Sequence, residues 1–103
     1  MNIYSEFNRH LHNDELSEST IRNYMRVVLL FEKYVSENYQ VRFADEGYRN
    51  LRGYMVSNWA SSLSDRKFSS RTVYYIILRR FLGFLYALQY VDFDLTTALP
   101  KTQ

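Results

Sequence analysis

The sequence predicts an all-α fold, a compact SAM-like bundle of four main helices. Apolar residues recur every three to four positions along four segments, which is the spacing of amphipathic helices. The 103 residues include only three glycines and one proline, so long helices can run without interruption. No segment alternates with the period of two that a half-buried strand shows. These observations predict one helical domain over residues 1–103, large enough to bury its own core.

The apolar positions delimit each predicted helix. We expect a first helix over about 2–12, a second over about 17–38, a third over about 45–62 and a fourth over about 69–89. A short fifth helical turn is expected near the C-terminus, before Pro100. Gly53 falls inside the third predicted helix, where a close helix–helix approach would offset its low helix propensity. The expected core positions are Ile3, Phe7, Leu11, Ile21, Tyr24, Met25, Val28, Phe31, Val35, Tyr48, Leu51, Met55, Trp59, Val73, Ile76, Ile77, Phe81, Phe84, Leu85 and Leu88.

One pattern occurs twice, in residues 16–21 and 68–73. Each copy reads apolar–Ser–x–x–Thr–apolar, which predicts a helix start. Ser17 and Ser69 would cap the first turn, and the flanking apolar pair would close over it. Helix N-termini attract anions, phosphate among them. Two such starts, each followed by arginines, indicate nucleic acid as a partner.

Composition argues against several kinds of site. The chain has no cysteine, which excludes disulfides, thiolate metal sites and thiol nucleophiles. His10 and His12 are two residues apart and cannot share a helix face, so we expect surface histidines and no metal site. The carboxylate pairs 14–15 and 45–46 lie at predicted helix borders, where they complement the helix dipole. We therefore expect no cofactor, no metal and no catalytic residue in this chain by itself.

The chain also lacks the marks of a membrane or exported protein. No apolar run approaches the roughly 20 residues that span a bilayer. The N-terminus shows no basic segment followed by an apolar one, as a signal peptide would. We expect a cytoplasmic location and no membrane partner, which agrees with the absence of cysteine.

Charge is distributed unevenly between the two halves of the chain. Residues 1–50 carry six Lys/Arg and eight Asp/Glu, whereas residues 51–103 carry seven and three. The second half is therefore the more favourable one for a polyanion.

Basic residues form two strips at helical spacing. Such strips can place guanidinium groups on phosphates, with neighbouring polar side chains reaching phosphates or base edges. Ordinary solvated faces are the alternative, with Glu18 and Arg22 as a local ion pair. The members are Arg22 and Arg26 beside Ser19 and Asn23 in the second predicted helix, and Arg71, Tyr75 and Arg79 in the fourth, with Lys67 upstream and Arg80 alongside.

The order of several motifs resembles the core-binding domain of tyrosine recombinases, the phage integrases. The similar segments are 16–24, with the pattern apolar–Ser–x–x–Thr–Ile–x–x–Tyr, and then 31–35, 51–55, 68–73, 78–86 and 90–101. The resemblance covers nearly the whole chain, and the order and spacing are more specific than any single motif. It implies a four-helix SAM-like bundle whose second and fourth helices lie against the DNA major groove, opposite a catalytic domain.

The resemblance also implies partners and site residues. The partners are double-stranded DNA at a core recombination site, a catalytic domain of the same polypeptide and further recombinase protomers. The family's catalytic His-x-x-Arg motif does not occur, so we expect a DNA-binding domain without enzymatic activity of its own, in which 90–103 is a linker toward an absent catalytic domain. The implied DNA-binding positions are Ser19, Thr20, Arg22, Asn23, Arg26, Lys67, Ser69, Ser70, Arg71, Thr72, Tyr75 and Arg79.

A function from another class remains as an alternative. The chain would then be a helical protein-interaction module that does not bind DNA. Leu30, Leu82 and Tyr86 would form its exposed apolar patch, although the same residues would also suit contact with a second domain.

Overall fold

Four α-helices and three short 3-10 turns make up the fold. A computed structural model describes residues 2–101, and within them there is no strand, so the predicted all-α bundle is confirmed. The helices are α1 (Ile3–Asn13), α2 (Glu18–Tyr39), α3 (Gly53–Ser61) and α4 (Phe68–Ala87). The 3-10 turns are Phe43–Asp45, Gly47–Asn50 and Leu95–Ala98, and the last of these is the short turn expected near the C-terminus.

The two long helices, α2 and α4, run antiparallel at the centre of the bundle. The Arg80 guanidinium binds the carboxylate of Asp14, just before α2 begins. Farther along α2, Arg26 lies over the ring of Tyr74, which is closer to the start of α4. Residue numbers therefore increase along α2 in the direction in which they decrease along α4. This arrangement leaves the outward sides of both helices next to each other.

The core is apolar and draws on every element. Phe7 of α1 meets Phe81 of α4 edge to face, with ring centroids 5.0 Å apart. Phe31 of α2 meets Trp59 of α3 in the same way at 5.4 Å. The fully buried larger side chains are Phe7, Leu11, Val27, Val28, Phe31, Val35, Leu51, Ile77, Leu78, Phe81, Leu82 and Leu85.

The predicted core positions are confirmed on α1 and in residues 48–59, and they are partly wrong on α4. Val73, Ile76 and Leu88 are exposed, with 42%, 46% and 50% of their surface accessible. Residues 74, 78 and 82 are buried instead. Apolar residues occur on nearly every side of α4, so periodicity alone could not identify the buried one. On α2, Tyr24 and Met25 are only partly buried.

The third helix is shorter than predicted. Instead of one helix over 45–62, two 3-10 turns precede α3, because Glu46 takes a left-handed conformation with φ of 57°. Gly47 then passes so close to Arg42 that its N–H donates to the Arg42 carbonyl at 2.8 Å. A Cβ on Gly47 would lie 2.5 Å from that oxygen. Gly53 is the first residue of α3 and not an interior one.

Three of the four described helices are followed within two residues by a left-handed residue that is not glycine. Gln40 closes α2 with φ of 57°, and its N–H donates to the Ser36 carbonyl at 3.1 Å. The N–H of Val41 donates to the Val35 carbonyl at 3.2 Å, which completes a Schellman-type ending. Glu15 and Gln89 have the same left-handed backbone after α1 and α4.

The two predicted helix starts differ. The Ser17 hydroxyl accepts the Thr20 N–H at 3.2 Å, so the predicted cap of α2 is confirmed. The predicted Ser69 cap is wrong, because the N-cap residue of α4 is Lys67, two residues earlier, and Lys67 forms no side-chain cap bond. Phe68 is 70% exposed and does not close over the first turn. The same pattern therefore gives a capped start once and an uncapped start once.

A carboxylate joins α1, α2 and the first 3-10 turn. Glu32 accepts a hydrogen bond from the hydroxyl of Tyr4 and another from the backbone N–H of Phe43, the latter at 2.7 Å. Burial, together with the neighbouring carboxylate, raises the pKa of Tyr4 well above its usual value. The neutral phenol is therefore the form that the fold favours.

Candidate nucleic-acid interface

The outward side of α2 presents an unpaired arginine. Arg22 is exposed and forms no side-chain hydrogen bond or ion pair with any residue in 2–101. The alternative pairing with Glu18 is wrong, since the Glu18 carboxylate lies 3.9 Å from Nδ1 of His12. The guanidinium of Arg22 is thus available to an external anion.

Two arginines from different elements meet on one tyrosine of α4. The guanidinium carbon of Arg26 lies 5.8 Å from the ring centroid of Tyr74, and that of Arg66 lies 5.3 Å from it. Nη1 of Arg66 also donates to the Tyr74 hydroxyl at 3.3 Å. Arg26 is further held by Asn23, whose Oδ1 accepts from Nη2 at 2.7 Å. We call Arg26, Arg66 and Tyr74 the Tyr74 junction.

The Tyr74 junction is positively charged although its centre is buried. The Tyr74 side chain is buried, its hydroxyl accepts a hydrogen bond from Arg66, and its ring lies beneath the Arg26 guanidinium. Hydrogen bonding to the Arg26 guanidinium lowers the pKa of the phenol, and the nearby charge of Arg66 adds to the effect, whereas burial opposes it. Such cation–π and hydrogen-bond contacts hold the long arginine side chains in place at the surface.

The predicted strip on α4, formed by Arg71, Tyr75 and Arg79, faces α3 and the C-terminal tail. Nη2 of Arg79 donates to the Pro100 carbonyl at 2.9 Å, and the Tyr75 hydroxyl donates to the Ala60 carbonyl at 3.3 Å. Arg71 lies over the ring of Phe68, with Nε buried and without an acceptor in residues 2–101. These three side chains thus lie toward α3 and the tail, away from the Tyr74 junction.

Some of the predicted hydroxyl side chains form hydrogen bonds at the helix starts, and the others form none. Thr20 belongs to the cap of α2, where its hydroxyl accepts from Ser17 at 2.9 Å, and Ser19 lies 3.3 Å from Ser17. The Thr72 hydroxyl donates to the Phe68 carbonyl at 3.0 Å. The remaining predicted positions at the start of α4 form no side-chain hydrogen bond within the described chain; they are Lys67, Ser69 and Ser70.

The two helix starts lie at opposite ends of the α2–α4 pair. Arg80 touches Asp14 beside the start of α2, and it is twelve residues along α4 from Phe68. At about 1.5 Å per residue, the starts are separated by roughly 18 Å along α4. The two starts therefore lie apart on the surface and do not converge on one point.

We call one surface on α2 and α4 the shared face. We define it by the exposed Arg22 and Arg26 and the half-buried Asn23 of α2, together with the exposed Val73 and Ile76 of α4; Arg66 joins it at the Tyr74 junction and Arg80 beside Asp14. A shallow depression lies beside it, lined by Tyr24, Ile76, Gly83 and Phe84, with Arg79 and Arg80 at its edge. Arg66 and Tyr74 were not among the predicted positions, and the basic pair 66–67 was the one signal in the sequence for Arg66.

The alternative apolar patch does not form. Leu82 is fully buried, Leu30 is half-buried and Tyr86 is 45% exposed. The patch expected for a protein-interaction module is therefore wrong, because Leu82 belongs to the core side of α4.

Each of the two histidines lies close to one acidic side chain. Nε2 of His10 lies 3.8 Å from the Asp14 carboxylate. Across residues 2–101, no three histidine, cysteine or acidic side chains come close enough together to hold a metal ion. Over the same span, no helix is both long and apolar enough to cross a bilayer.

A family comparison agrees with this architecture. Residues 5–89 match the family model of the phage integrase N-terminal SAM-like domain. Because the match covers most of the chain, the chain belongs to this family, which is a domain family of the tyrosine recombinases. No curated protein and no solved structure matches the chain.

Proposed function

We propose that this chain binds double-stranded DNA through the shared face, as the domain that positions a tyrosine recombinase on its core recombination site. The Tyr74 junction carries the proposal, because it holds two guanidinium groups from separate elements on one surface. Membership of the phage integrase SAM-like family supports the same function.

Electrostatics favours phosphate as the first contact. Arg22, Arg26, Arg66 and Lys67 are exposed, and none forms an ion pair with another residue of 2–101. Phosphate contacts supply most of the affinity and set the register of a protein on a duplex. Because Arg26 and Arg66 are already held by Tyr74, less side-chain entropy is lost when they bind phosphate.

The twelve predicted DNA-binding positions remain proposals, and we rank them by how exposed their side chains are to solvent. The exposed ones are proposed as first contacts: Ser19, Arg22, Arg26, Lys67 and Ser69. Arg66 joins them as a position that sequence reasoning did not include. Arg71, Tyr75 and Arg79 would reach DNA only at the edge nearest the tail, since they face α3 and residues 99–100.

The tail after α4 is proposed to lead toward a catalytic domain. We retain 90–103 as this linker, with the catalytic domain closing on the opposite side of the duplex and other protomers completing the assembly. Its last two residues, 102 and 103, lie outside the described residues. Family membership supports this proposal.

Binding to a short fluorescent duplex at several salt concentrations tests the function. If about four phosphates are neutralised, log K falls against log salt with a slope near −3.6, and the dissociation constant lies at about 10⁻⁴–10⁻⁶ M. The double variant Arg22→Ala/Arg26→Ala should lose affinity and make the slope shallower by about 1.8.

A matched variant controls for net charge. Arg42→Ala/Arg49→Ala also removes two positive charges, one from the residue before the first 3-10 turn and one from the second turn, where Arg49 is paired with Glu46. It should keep the wild-type slope. Binding that does not depend on salt, or equal losses in both double variants, would overturn the proposal.

A further inference from the structure

Two exposed β-branched side chains lie among the cations of the shared face. Val73 is 42% exposed and Ile76 is 46% exposed, on a helix that buries seven other side chains. Residues three apart on a helix lie on the same side, so the two form one small apolar area. The core does not need them, since residues 74, 77 and 78 fill that part of it.

The surroundings of this apolar area favour a charged partner over an apolar one. Arg80 and the tail-bonded Arg79 line the depression beside Ile76, and Arg26 and Arg66 contact Tyr74, the residue that follows Val73. The only acid hydrogen-bonded to these four arginines in residues 2–101 is Asp14, on Arg80. A polyanion that carries small apolar groups complements this pattern. The major groove of DNA is such a surface, because each thymine exposes a methyl group there.

We infer that Val73 and Ile76 contact thymine methyl groups and give this domain a preference for A·T pairs at the bases they reach. The inference rests on the proposed DNA-binding function and adds a source of base specificity to it. The side chains are separated by about 4.5 Å along α4, and neighbouring bases of a strand by about 3.4 Å. They therefore reach neighbouring or next-neighbouring base pairs.

Space on α4 allows a base pair to approach. A Cβ placed on Gly83 would meet nothing within 4 Å, so the depression beside Ile76 stays open. Tyr24 and Phe84 are among the residues that line it. A base edge can thus rest against Ile76 without displacing another side chain.

Replacing thymine by deoxyuridine tests the inference, because it removes the methyl group and leaves base pairing intact. Duplexes with a randomised centre are first selected on the chain at low salt, and the enriched duplex is then made with dT or with dU. We expect the dU duplex to bind about three- to fourfold more weakly for each methyl group contacted. The loss should map to one or two positions when thymines are replaced singly.

Variants connect the effect to the two side chains. Val73→Ala/Ile76→Ala should bind dT and dU duplexes equally, and it should fold normally because both side chains are exposed. Leu88→Ala, which trims an equally exposed apolar residue at the end of α4, should keep the wild-type discrimination.

The outcomes separate the two proposals. If the wild-type chain binds duplexes but does not distinguish dT from dU, the inference on methyl contacts is overturned and the DNA-binding function stands. If the Val73→Ala/Ile76→Ala variant still prefers dT, the methyl contact belongs to other residues and the inference is likewise overturned. If no duplex binds in a salt-dependent manner, the proposed function itself is overturned.

Discussion

Nη2 of Arg79 donates a hydrogen bond to the carbonyl oxygen of Pro100 at 2.9 Å, which ties the tail to the middle of α4. The tail is also held by the Ser57 hydroxyl, which donates to the Ala98 carbonyl at 3.3 Å. One of the arginines expected to bind DNA is therefore already engaged by the chain itself.

This contact predicts a modest role for Arg79 in DNA binding. Arg79→Ala should lower duplex affinity less than Arg22→Ala, because Arg22 has no competing partner in residues 2–101. The same variant should speed amide exchange at Leu99, whose N–H donates within the last 3-10 turn. Titration and hydrogen exchange measure the two effects. A larger affinity loss for Arg79→Ala than for Arg22→Ala would contradict this assignment.

Gly47 and Gly83 should respond oppositely to alanine. Gly47→Ala places a methyl 2.5 Å from the Arg42 carbonyl oxygen and should destabilise the fold by about 1–3 kcal/mol, the usual cost of overpacking. Gly83 lies within α4 with open space beside it, so Gly83→Ala should stabilise by up to about 1 kcal/mol. Urea unfolding of both variants checks the pair. Equal responses would show that the tight approach at Gly47 is absent.

The left-handed residue that ends α2 offers a stabilising substitution. Gln40 has φ of 57°, a conformation that costs a residue with a Cβ roughly 1 kcal/mol and glycine almost nothing. Gln40→Gly should therefore raise the free energy of unfolding by about 0.5–1 kcal/mol. Gln40→Ala serves as control, since alanine keeps the strain and should give no gain. Chemical denaturation decides between them, and a gain in both variants would point to a cause other than backbone strain.

Stability should fall in alkaline solution because of Tyr4. Its pKa is raised in the folded state, by burial first and by Glu32 second. The unfolded chain releases that proton at lower pH, so the contribution is complete below the ordinary tyrosine pKa of about 10 and is lost as pH rises above it. Urea midpoints measured between pH 8 and 11 should decrease.

Substitutions at two tyrosines assign this pH dependence. Tyr4→Phe should lower stability at pH 8 and make its further decline less steep, because the hydroxyl bonded to Glu32 is gone. Tyr54→Phe removes a hydroxyl that makes no hydrogen bond within residues 2–101 and should leave the pH profile unchanged. An unaltered profile in Tyr4→Phe would mean that other groups cause the decline.

The helices were predictable where local chemistry determines them. The apolar spacing of α1, most of that of α2 and the Ser17 cap depend on residues close in sequence, and these were predicted correctly. The start of α4 was not, because Ser69 resembles Ser17 in sequence while the N-cap residue of α4 is Lys67, two residues before Ser69. The break before α3 depends on Gly47 meeting Arg42, a contact that helical periodicity does not contain.

The candidate site was predictable only in part, for a similar reason. Arg22 and Arg26 follow from spacing on a single helix. Arg66 comes from a loop, and it joins them through Tyr74, which helical spacing alone did not mark. Which arginines of α4 face the tail depends on tertiary packing. The spacing of Arg71, Tyr75 and Arg79 along the helix therefore could not predict that this strip faces α3 and the tail.

Tyr74 has a consequence for anyone who wishes to retarget this domain. Its side chain is buried, yet its hydroxyl holds Arg66 and its ring holds Arg26 at the surface, so interior redesign and surface redesign are not independent at this position. A library that varies the interior around α4 would disturb the alignment of Arg26 and Arg66 even when every external residue is kept. Engineering is therefore simplest if Tyr74 is held constant while the side chains that touch bases are varied.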